Sequence, residues 1–177
     1  ERSAINFLQV LSSVSTRTKK YVTLLKDLDL TSCAVLDTRK TIPGLRLAQK
    51  YAVRVGGGKN QRFGLWDSIL IKENHIISVG GLKRLLGRNL SNKLDDHVNL
   101  NVQIEVENLD EFEYVKTVGI KNILLDNFSI DDLNKAVKAN DKNLILEASG
   151  EIGLSNFKDI ALTGVSRISI GDLTKNI

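Results

Sequence analysis

The chain has 177 residues, 42% hydrophobic and 26% charged, with 13 Gly and 1 Pro. That length suits one domain with a sizeable core, and the composition excludes disorder, collagen and coiled coil. A net charge of +4, from 25 Lys and Arg against 21 Asp and Glu with 5% aromatic residues, is too mild to argue for nucleic-acid binding. The longest apolar runs, such as Ser68-Ile69-Leu70-Ile71, fall far short of the roughly 20 residues of a membrane span. No charged-then-apolar leader opens the chain, so a soluble, cytoplasmic protein is expected. Methionine is absent even at position 1, which predicts a segment of a longer protein. The single Cys33, in an apolar setting, reads as a buried thiol.

Residues 1–26 carry apolar side chains at Ile5, Leu8, Leu11, Val14, Tyr21, Val22 and Leu25, a helical period with a break placed at Ser12-Ser13. One long or two short helices are expected. Strand-like and helical runs then alternate. The first strand is placed at 33–37, and Thr41-Ile42-Pro43 opens a helix that buries Leu45, Ala48, Ala52 and Val55 and ends at Gly56. The remaining strands fall at 68–72, 101–106, 122–126, 143–147 and 167–170. Helices follow near 82–86, at 109–118, at 130–139 with Ser129 as N-cap, and near 157–162.

Six such units, about 20 to 30 residues apart, imply parallel strands with helices outside, as a barrel or an open doubly wound sheet. Polar or glycine-bearing clusters close every strand: Arg39-Lys40, Lys72 to His75, Glu105 with Glu107, Asp126-Asn127, Glu147 to Gly150, and Gly171-Asp172. A barrel gathers residues from all its strand ends on one face, whereas an open sheet uses one switch point, so a barrel is preferred. The expected fold is a (β/α) barrel of six to seven parallel strands over 1–177, preceded by one or two helices.

Charge is divided along the chain. From 38 to 66 there is no acidic residue, while Arg39, Lys40, Arg46, Lys50, Arg54, Lys59 and Arg62 all fall inside; acidic groups recur from Glu105 onward. This suits a polyanionic substrate accompanied by a divalent cation. Arg39-Lys40 fits either an anion-binding pair or a solvated loop. Arg46, Lys50 and Arg54 read as the wet stripe of their helix, and Gly56-Gly57-Gly58-Lys59 as a flexible turn, no Ser or Thr following the Lys. Arg62 has no nearby acidic partner in sequence. Lys72 ends an apolar strand, which suits anion binding or Schiff-base chemistry. His75 reads as a hydrogen-bonded support, and His97 is given no role. Glu105 and Asp126 end successive strands; they suit Mg²⁺, a sugar diol or a developing positive charge, or else pairing with cations of the same mouth. Ser149-Gly150 and Gly171 fit either a phosphate cradle or plain turns.

Taken together, these stretches resemble the quinolinate phosphoribosyltransferases of NAD biosynthesis. The likeness is carried by 1–8, 37–46, 50–58, 64–67, 70–75, 105–107, 124–128, 147–150 and 168–174, in family order over nearly the whole chain. It implies the family's barrel with its leading helices, without the family's N-terminal sandwich domain, working as a homodimer or higher assembly with shared active sites. It implies that Arg39, Lys40, Gln61, Arg62 and Lys72 surround the quinolinate carboxylates and the pyrophosphate, and that Arg2 reaches a neighbouring subunit's site. Glu105 and Asp126 would contact the ribose and Mg²⁺ of phosphoribosyl pyrophosphate, and Ser149, Gly150 and Gly171 its 5′-phosphate. Lys40, Lys72, Glu105 and Asp126 are the implied catalytic set. Gln61 stands where the family commonly has His, and Glu73 where Asp is usual. The implied reaction departs through an oxocarbenium-like ribose, is completed by attack of the pyridine nitrogen, and loses the 2-carboxylate as CO₂. The ModD-like branch linked to molybdenum transport, and a non-catalytic polyanion-binding module, are the alternatives.

Overall fold

The computed structural model describes residues 1–87 and 101–175; His97 lies outside them. Helix α1 (Arg2–Asp27) runs 26 residues without a break. Ser12 and Ser13 are exposed, so neither competes for the helix backbone from a buried position. Its buried residues Val14, Thr18, Tyr21 and Leu25 follow a helical stripe, and the Tyr21 ring meets Phe157 edge-on at 4.9 Å. The first two turns do not join this core: Ile5, Phe7 and Leu8 are all more than half exposed.

The strands β1 (Ala34–Leu36), β2 (Ser68–Ile71), β3 (Asn101–Val106), β4 (Asn122–Asp126), β5 (Ile145–Ser149) and β6 (Arg167–Ser169) form one parallel sheet in the order β1-β6-β5-β4-β3-β2. Each strand from β3 to β6 lies beside its predecessor, and the last lies beside the first. That is barrel order with one seam, between β1 and β2, not closed by a ladder among the described residues. The free edge of β1 is instead met by the backbone of Lys59, whose N–H donates to Val35 O at 2.8 Å and whose carbonyl accepts from Asp37 N at 3.3 Å.

Helices α2 (Arg46–Val55), α3 (Glu73–Ser78), α4 (Leu82–Leu86), α5 (Leu109–Lys116), α6 (Ile130–Lys138), α7 (Phe157–Leu162) and α8 (Asp172–Lys175) follow the strands. Ser129 caps α6 as expected, its Oγ accepting from Asp132 N at 3.1 Å. Ile104, Val106, Ile123, Leu125, Leu146, Ala148 and Ile168 alternate along the strands into one apolar layer with Phe112, Leu133 and Phe157 of the helices. The opposite faces of the same strands place Gln103 and Ser169 inside the sheet, each donating to the carboxylate of Glu147.

Four expectations need correction. The segment after β1 turns at Pro43-Gly44, with Gly44 at φ 79°, and α2 begins only at Arg46. The face of α2 expected to be wet is partly the buried one: Lys50 and Gln49 are wholly buried, whereas Leu47, Tyr51 and Val55 are exposed. Arg46 is also engaged, donating to Thr41 Oγ1, Phe63 O and Arg39 O, each at 3.2 Å. Strand β5 lies two residues later than placed, which puts Glu147 at mid-strand and Ser149 at its end. The glycine turn is tightly packed: a Cβ on Gly56 would stand 2.5 Å from Ser15 O and 2.7 Å from Thr18 Cβ. Gly56 is there for the close approach of α1 and α2, since its φ of −69° is open to any residue.

Lys50 is buried because Asp37 is. Lys50 Nζ donates to Asp37 Oδ1 at 2.5 Å and to Gln61 O at 2.8 Å, and lies 5.1 Å from the centre of the Phe63 ring. Asp37 accepts further bonds from Asn60 Nδ2 (2.6 Å) and Gln61 N (2.9 Å). Burial pushes the Asp37 carboxyl up and the Lys50 ammonium down from their ordinary pKa values, and their mutual attraction opposes both shifts. Removing one partner leaves the other charge uncompensated. Lys50→Met is therefore expected to destabilise the fold by about 3–5 kcal/mol in denaturant titrations, and adding Asp37→Asn to recover part of that loss. A Lys50→Met variant as stable as the parent would mean that the pair holds nothing together. Gly56→Ala is expected to cost about 1–3 kcal/mol, read as a lowered Tm, because it forces α1 off α2.

Candidate active site

One cleft of about 830 Å³ opens at the C-terminal ends of the strands. Arg39, Lys40, Gln61, Arg62, Lys72, Glu105, Asp126, Ser149, Gly150 and Gly171 all line it. Of the residues expected in the site, only Arg2 is absent: it opens α1 and is exposed. The barrel rule explains the gathering, because parallel strands deliver every C-terminal end to one face.

The cations are delivered in two ways. Arg39 and Lys40 follow β1 directly, and Thr174 Oγ1 holds the turn by donating to Lys40 O at 2.8 Å. The Lys40 side chain runs beside Gly171, where an added Cβ would lie 3.9 Å from Lys40 Cδ. Gln61 and Arg62 come from the segment that meets the edge of β1, fixed by the buried Asp37–Lys50 pair. Arg62 NH1 donates to Ser68 O at 3.3 Å. The Nε atoms of Arg39 and Arg62 are buried without a hydrogen-bond partner. Burial and then the nearby Arg39 charge both work against the charged form of Arg62. Two crowded guanidinium groups with unspent donors make a site for an anion with oxygens to share between them.

Pairing with a cation of the same mouth, one of the readings left open for the two acids, holds for Glu105. Lys72 Nζ pairs with Glu105 Oε2 at 2.9 Å, with the lysine half exposed and the glutamate 11% exposed at its side chain. Asp126 Oδ1 accepts from Ser149 Oγ at 2.5 Å, and its Oδ2 accepts from Asn127 Nδ2 at 3.0 Å. The Ser149 hydroxyl, expected on a phosphate, is thus donated to Asp126. Beside it the backbone is committed to a special turn: Gly150 has φ 128°, Asn127 has φ 55°, and a Cβ on Gly150 would stand 2.4 Å from Asn127 Oδ1. Glu107 is pushed up, first by burial and then by the carboxylates of Glu73, Glu111, Asp126 and Glu105, which marks this side of the mouth as the acidic one. Among the described residues no three His, Cys, Asp or Glu side chains converge as a metal-binding set.

His75 is the support it was read to be, its Nδ1 accepting from Lys72 N at 3.0 Å. Cys33 is half-buried and outside the cleft, and burial pushes its thiol up to about 11, which suits an inert side chain. Gln61 differs from expectation: its Nε2 donates to Glu147 Oε1 (2.7 Å) and contacts Ser169 Oγ (3.4 Å), so its donors run into the barrel. Sequence reasoning gave no site role to Thr38, Asn127, Glu151, Ser155, Asp172 and Lys175, which also line the cleft. Asn127 and Asp172 already stand in the strand-end clusters and the others lie within a few positions of one, so giving each whole cluster and its near neighbours to the mouth would have found them. Arg17 of α1 reaches across to Asp172, donating to its carbonyl at 2.9 Å and to Oδ2 at 3.2 Å.

Comparison with known proteins agrees with this geometry. The family model described as the quinolinate phosphoribosyl transferase C-terminal domain matches residues 14–177. A probable carboxylating nicotinate-nucleotide pyrophosphorylase of Bacillus subtilis is 38% identical over 177 residues, covering 100% of this chain and 59% of the relative. A decarboxylating quinolinate phosphoribosyltransferase of Nicotiana glauca is 35% identical over 192 residues, covering 100% of this chain and 53% of its own length. The solved nicotinate-nucleotide pyrophosphorylase of Francisella tularensis superposes with a TM-score of 0.89 at 47% identity, over 100% of this chain and 61% of that one. A thiamine phosphate pyrophosphorylase of Pyrococcus furiosus, at 13% identity and a TM-score of 0.53, shares the fold alone. The chain spans between half and two thirds of the length of these nicotinate-nucleotide relatives. By the family model's match to all but its first 13 residues, the chain belongs to the quinolinate phosphoribosyltransferase family and corresponds to its C-terminal domain.

Proposed function

We propose that the protein transfers the phosphoribosyl group of phosphoribosyl pyrophosphate to quinolinate with decarboxylation, giving nicotinate mononucleotide, CO₂ and pyrophosphate. The observation that carries this reading is the pair of buried, unpartnered Arg39 and Arg62 Nε donors in the same cleft as Glu105 and Asp126. Arg39, Arg62 and Lys72 bind the two carboxylates, and Lys40 takes the pyrophosphate. As the bond from C1 of the ribose to pyrophosphate breaks, positive charge grows on the sugar, and the carboxylates of Glu105 and Asp126 stabilise it. The pyridine nitrogen then forms the new bond to C1, and the 2-carboxylate leaves as CO₂; the electron pair of the broken C–C bond stays on C2, stabilised by the adjacent cationic ring nitrogen, and takes up a proton from solvent. Fixed charges and positioning supply the catalysis, so no nucleophilic side chain is needed.

Mg²⁺ fits as a companion of the substrate. Two carboxylates, already hydrogen-bonded or ion-paired, are a thin protein donor set, while the pyrophosphate oxygens complete the oxygen-rich shell that this ion requires. Glu105 and Asp126 are the residues that would hold it, and it would neutralise charge on the leaving group. The carboxylates in the cleft disfavour the polyanion-binding alternative, since they would repel a run of phosphates. A cytoplasmic setting suits a highly charged phosphorylated donor that does not cross membranes; among the described residues no helix is long and apolar enough to span one.

A homodimer with shared sites is supported by two exposed apolar stretches, Ile5 and Leu8 on α1 and Leu47, Tyr51 and Val55 on α2. Arg2 lies beside the first of them and away from its own chain's cleft, as a residue acting across a subunit boundary would.

The intact protein, given quinolinate, phosphoribosyl pyrophosphate and Mg²⁺, is expected to release nicotinate mononucleotide and CO₂ in equal amounts; no product from an active, folded preparation would overturn the proposal. Lys72→Ala is expected to lower kcat/KM at least about 100-fold, the effect of losing a charged contact to a desolvated substrate, with Tm little changed because the lysine is half exposed. Mixing Arg2→Ala with Lys72→Ala under subunit exchange is expected to restore part of the activity, because a trans arrangement leaves one site with both cations. A mixture as inactive as its parents, with exchange confirmed, would place Arg2 outside the partner's site.

A further inference from the structure

The proposed reaction makes no use of Glu147, yet this residue is wholly buried at mid-strand in β5, inside the sheet and beneath the cleft. Its Oε1 accepts from Gln61 Nε2 at 2.7 Å and from Ser169 Oγ, and its Oε2 accepts from Gln103 Nε2 at 2.9 Å. The guanidinium of Arg167 stands 4.0 Å away. Three donors on two oxygens suit an ionised carboxylate, which only accepts.

The consequence falls on Gln61. Its Nε2 is shared between Glu147 Oε1 and, at 3.4 Å, Ser169 Oγ, so the amide N–H groups are directed into the barrel. Among the described residues its Oε1 has no hydrogen-bond partner, and Gln61 lines the cleft next to Arg62. The reverse orientation would set the amide oxygen against the carboxylate and leave a buried charge with one donor fewer, so the flip is opposed from below.

We infer that Glu147 is a positioning residue that fixes the Gln61 amide with its N–H groups buried and its carbonyl oxygen toward the cleft, so that position 61 offers a ligand an acceptor instead of a donor. For the ligand's identity this rests on the proposed function. A dianionic pyridine dicarboxylate has no O–H or N–H to give that oxygen. The Gln61 carbonyl therefore works against the free dicarboxylate, whose binding is left to Arg39, Arg62 and Lys72.

Glu147→Gln tests the inference in the intact protein, because an amide at 147 can donate to Gln61 Oε1 and let the Gln61 N–H groups turn to the cleft. The KM for quinolinate is expected to fall about three- to tenfold, the worth of one net hydrogen bond, while the KM for phosphoribosyl pyrophosphate stays within about twofold. In a Gln61→Ala background the same substitution is expected to leave the quinolinate KM within about twofold, since residues that act through one another are not additive. Glu147→Asp keeps the charge but draws it back by one methylene; it is expected to shift the quinolinate KM in the same direction by a smaller factor, and it serves if Glu147→Gln does not fold. A rise in the quinolinate KM, parallel changes in both substrates, or the same shift without Gln61 would overturn the inference. A second readout does not need turnover: the Gln61 side-chain amide signals in ¹⁵N-edited NMR, identified by their loss in Gln61→Ala, are expected to exchange slowly with water in the unsubstituted protein and rapidly in the Glu147 variant that folds. Rapid exchange in the unsubstituted protein would overturn the positioning. Slow exchange in a protein that makes no nicotinate mononucleotide would overturn the proposed function and leave the positioning standing.

Discussion

A single buried ion pair fixes the segment that brings Gln61 and Arg62 to the cleft. Asp37 stands at the end of β1 and Lys50 in the middle of α2, and both side chains are wholly buried. Between them they take the backbone of Gln61 from both sides, the carboxylate accepting its N–H and the ammonium donating to its carbonyl. Asn60 closes the ring by donating to Asp37 and to the Lys50 carbonyl. A buried pair of this kind costs desolvation on both partners, so its contribution to stability is small beside what its absence would do. Its role here is one of placement. The segment 59–62 crosses the open seam of the barrel, where a ladder between β1 and β2 would otherwise hold it, and the pair supplies the fixing that the ladder does not. Together with the two backbone bonds between Lys59 and β1, the pair sets where Gln61 and Arg62 enter the cleft.

The polar interior of the sheet follows the same logic at greater depth. A parallel sheet covered by helices usually fills both faces with aliphatic side chains. Here the outer faces do so, with Ile104, Ile123, Leu125, Leu146 and Ile168 in the helix-facing layer. The inner faces carry Gln103, Glu147 and Ser169, joined by hydrogen bonds directly below the cleft. Half-satisfied networks of this kind are worse than an apolar core, whereas fully satisfied ones specify one arrangement. Glu147 meets the stricter condition, with donors on both oxygens. The floor of the cleft is thereby fixed in shape and in the sense of its hydrogen bonds.

How far the sequence revealed this depends on what each residue's neighbours are. The period of the strands and helices was legible from local pattern, and β3, β4 and α7 fall where the alternation placed them, because their apolar residues sit in the shared layer. The strand ends were legible because a parallel barrel sends them all one way, which is why Arg39, Lys72, Glu105, Asp126 and Gly171 meet in one cleft. Lys50 was not legible. Its spacing from Arg46 and Arg54 matches a solvated stripe, and only the partner 13 positions earlier in the chain makes burial tolerable. Charge spacing records a helix face but not what lies opposite it. The buried face of α2 was legible only in part: Ala52 is buried as expected, whereas Val55 is exposed and Gln49 is buried, bonded to Ile42 N and Thr174 O. Gln61 was recognised as a departure from the family, but the direction of its amide depends on Glu147, 86 residues away.

The pairing of Lys72 with Glu105 shows why opposite charges share this mouth. If every cation of the cleft were unpaired, the site would carry a positive field to be neutralised by whatever anion arrived; if every one were locked as Lys50 is, none could turn to a substrate. Lys72 is the intermediate case, ion-paired at 2.9 Å but half exposed. Lys72 lines the cleft with its ammonium half exposed, so an anion can reach it without displacing Glu105. Glu105, far less exposed than its partner, keeps its carboxylate beside the lysine. The guanidinium groups of Arg39 and Arg62 have Nε donors that are still unspent. The cleft thus combines two guanidinium groups whose Nε donors are open to an anion with one half-exposed ion pair that keeps a cation and a carboxylate side by side at the same mouth.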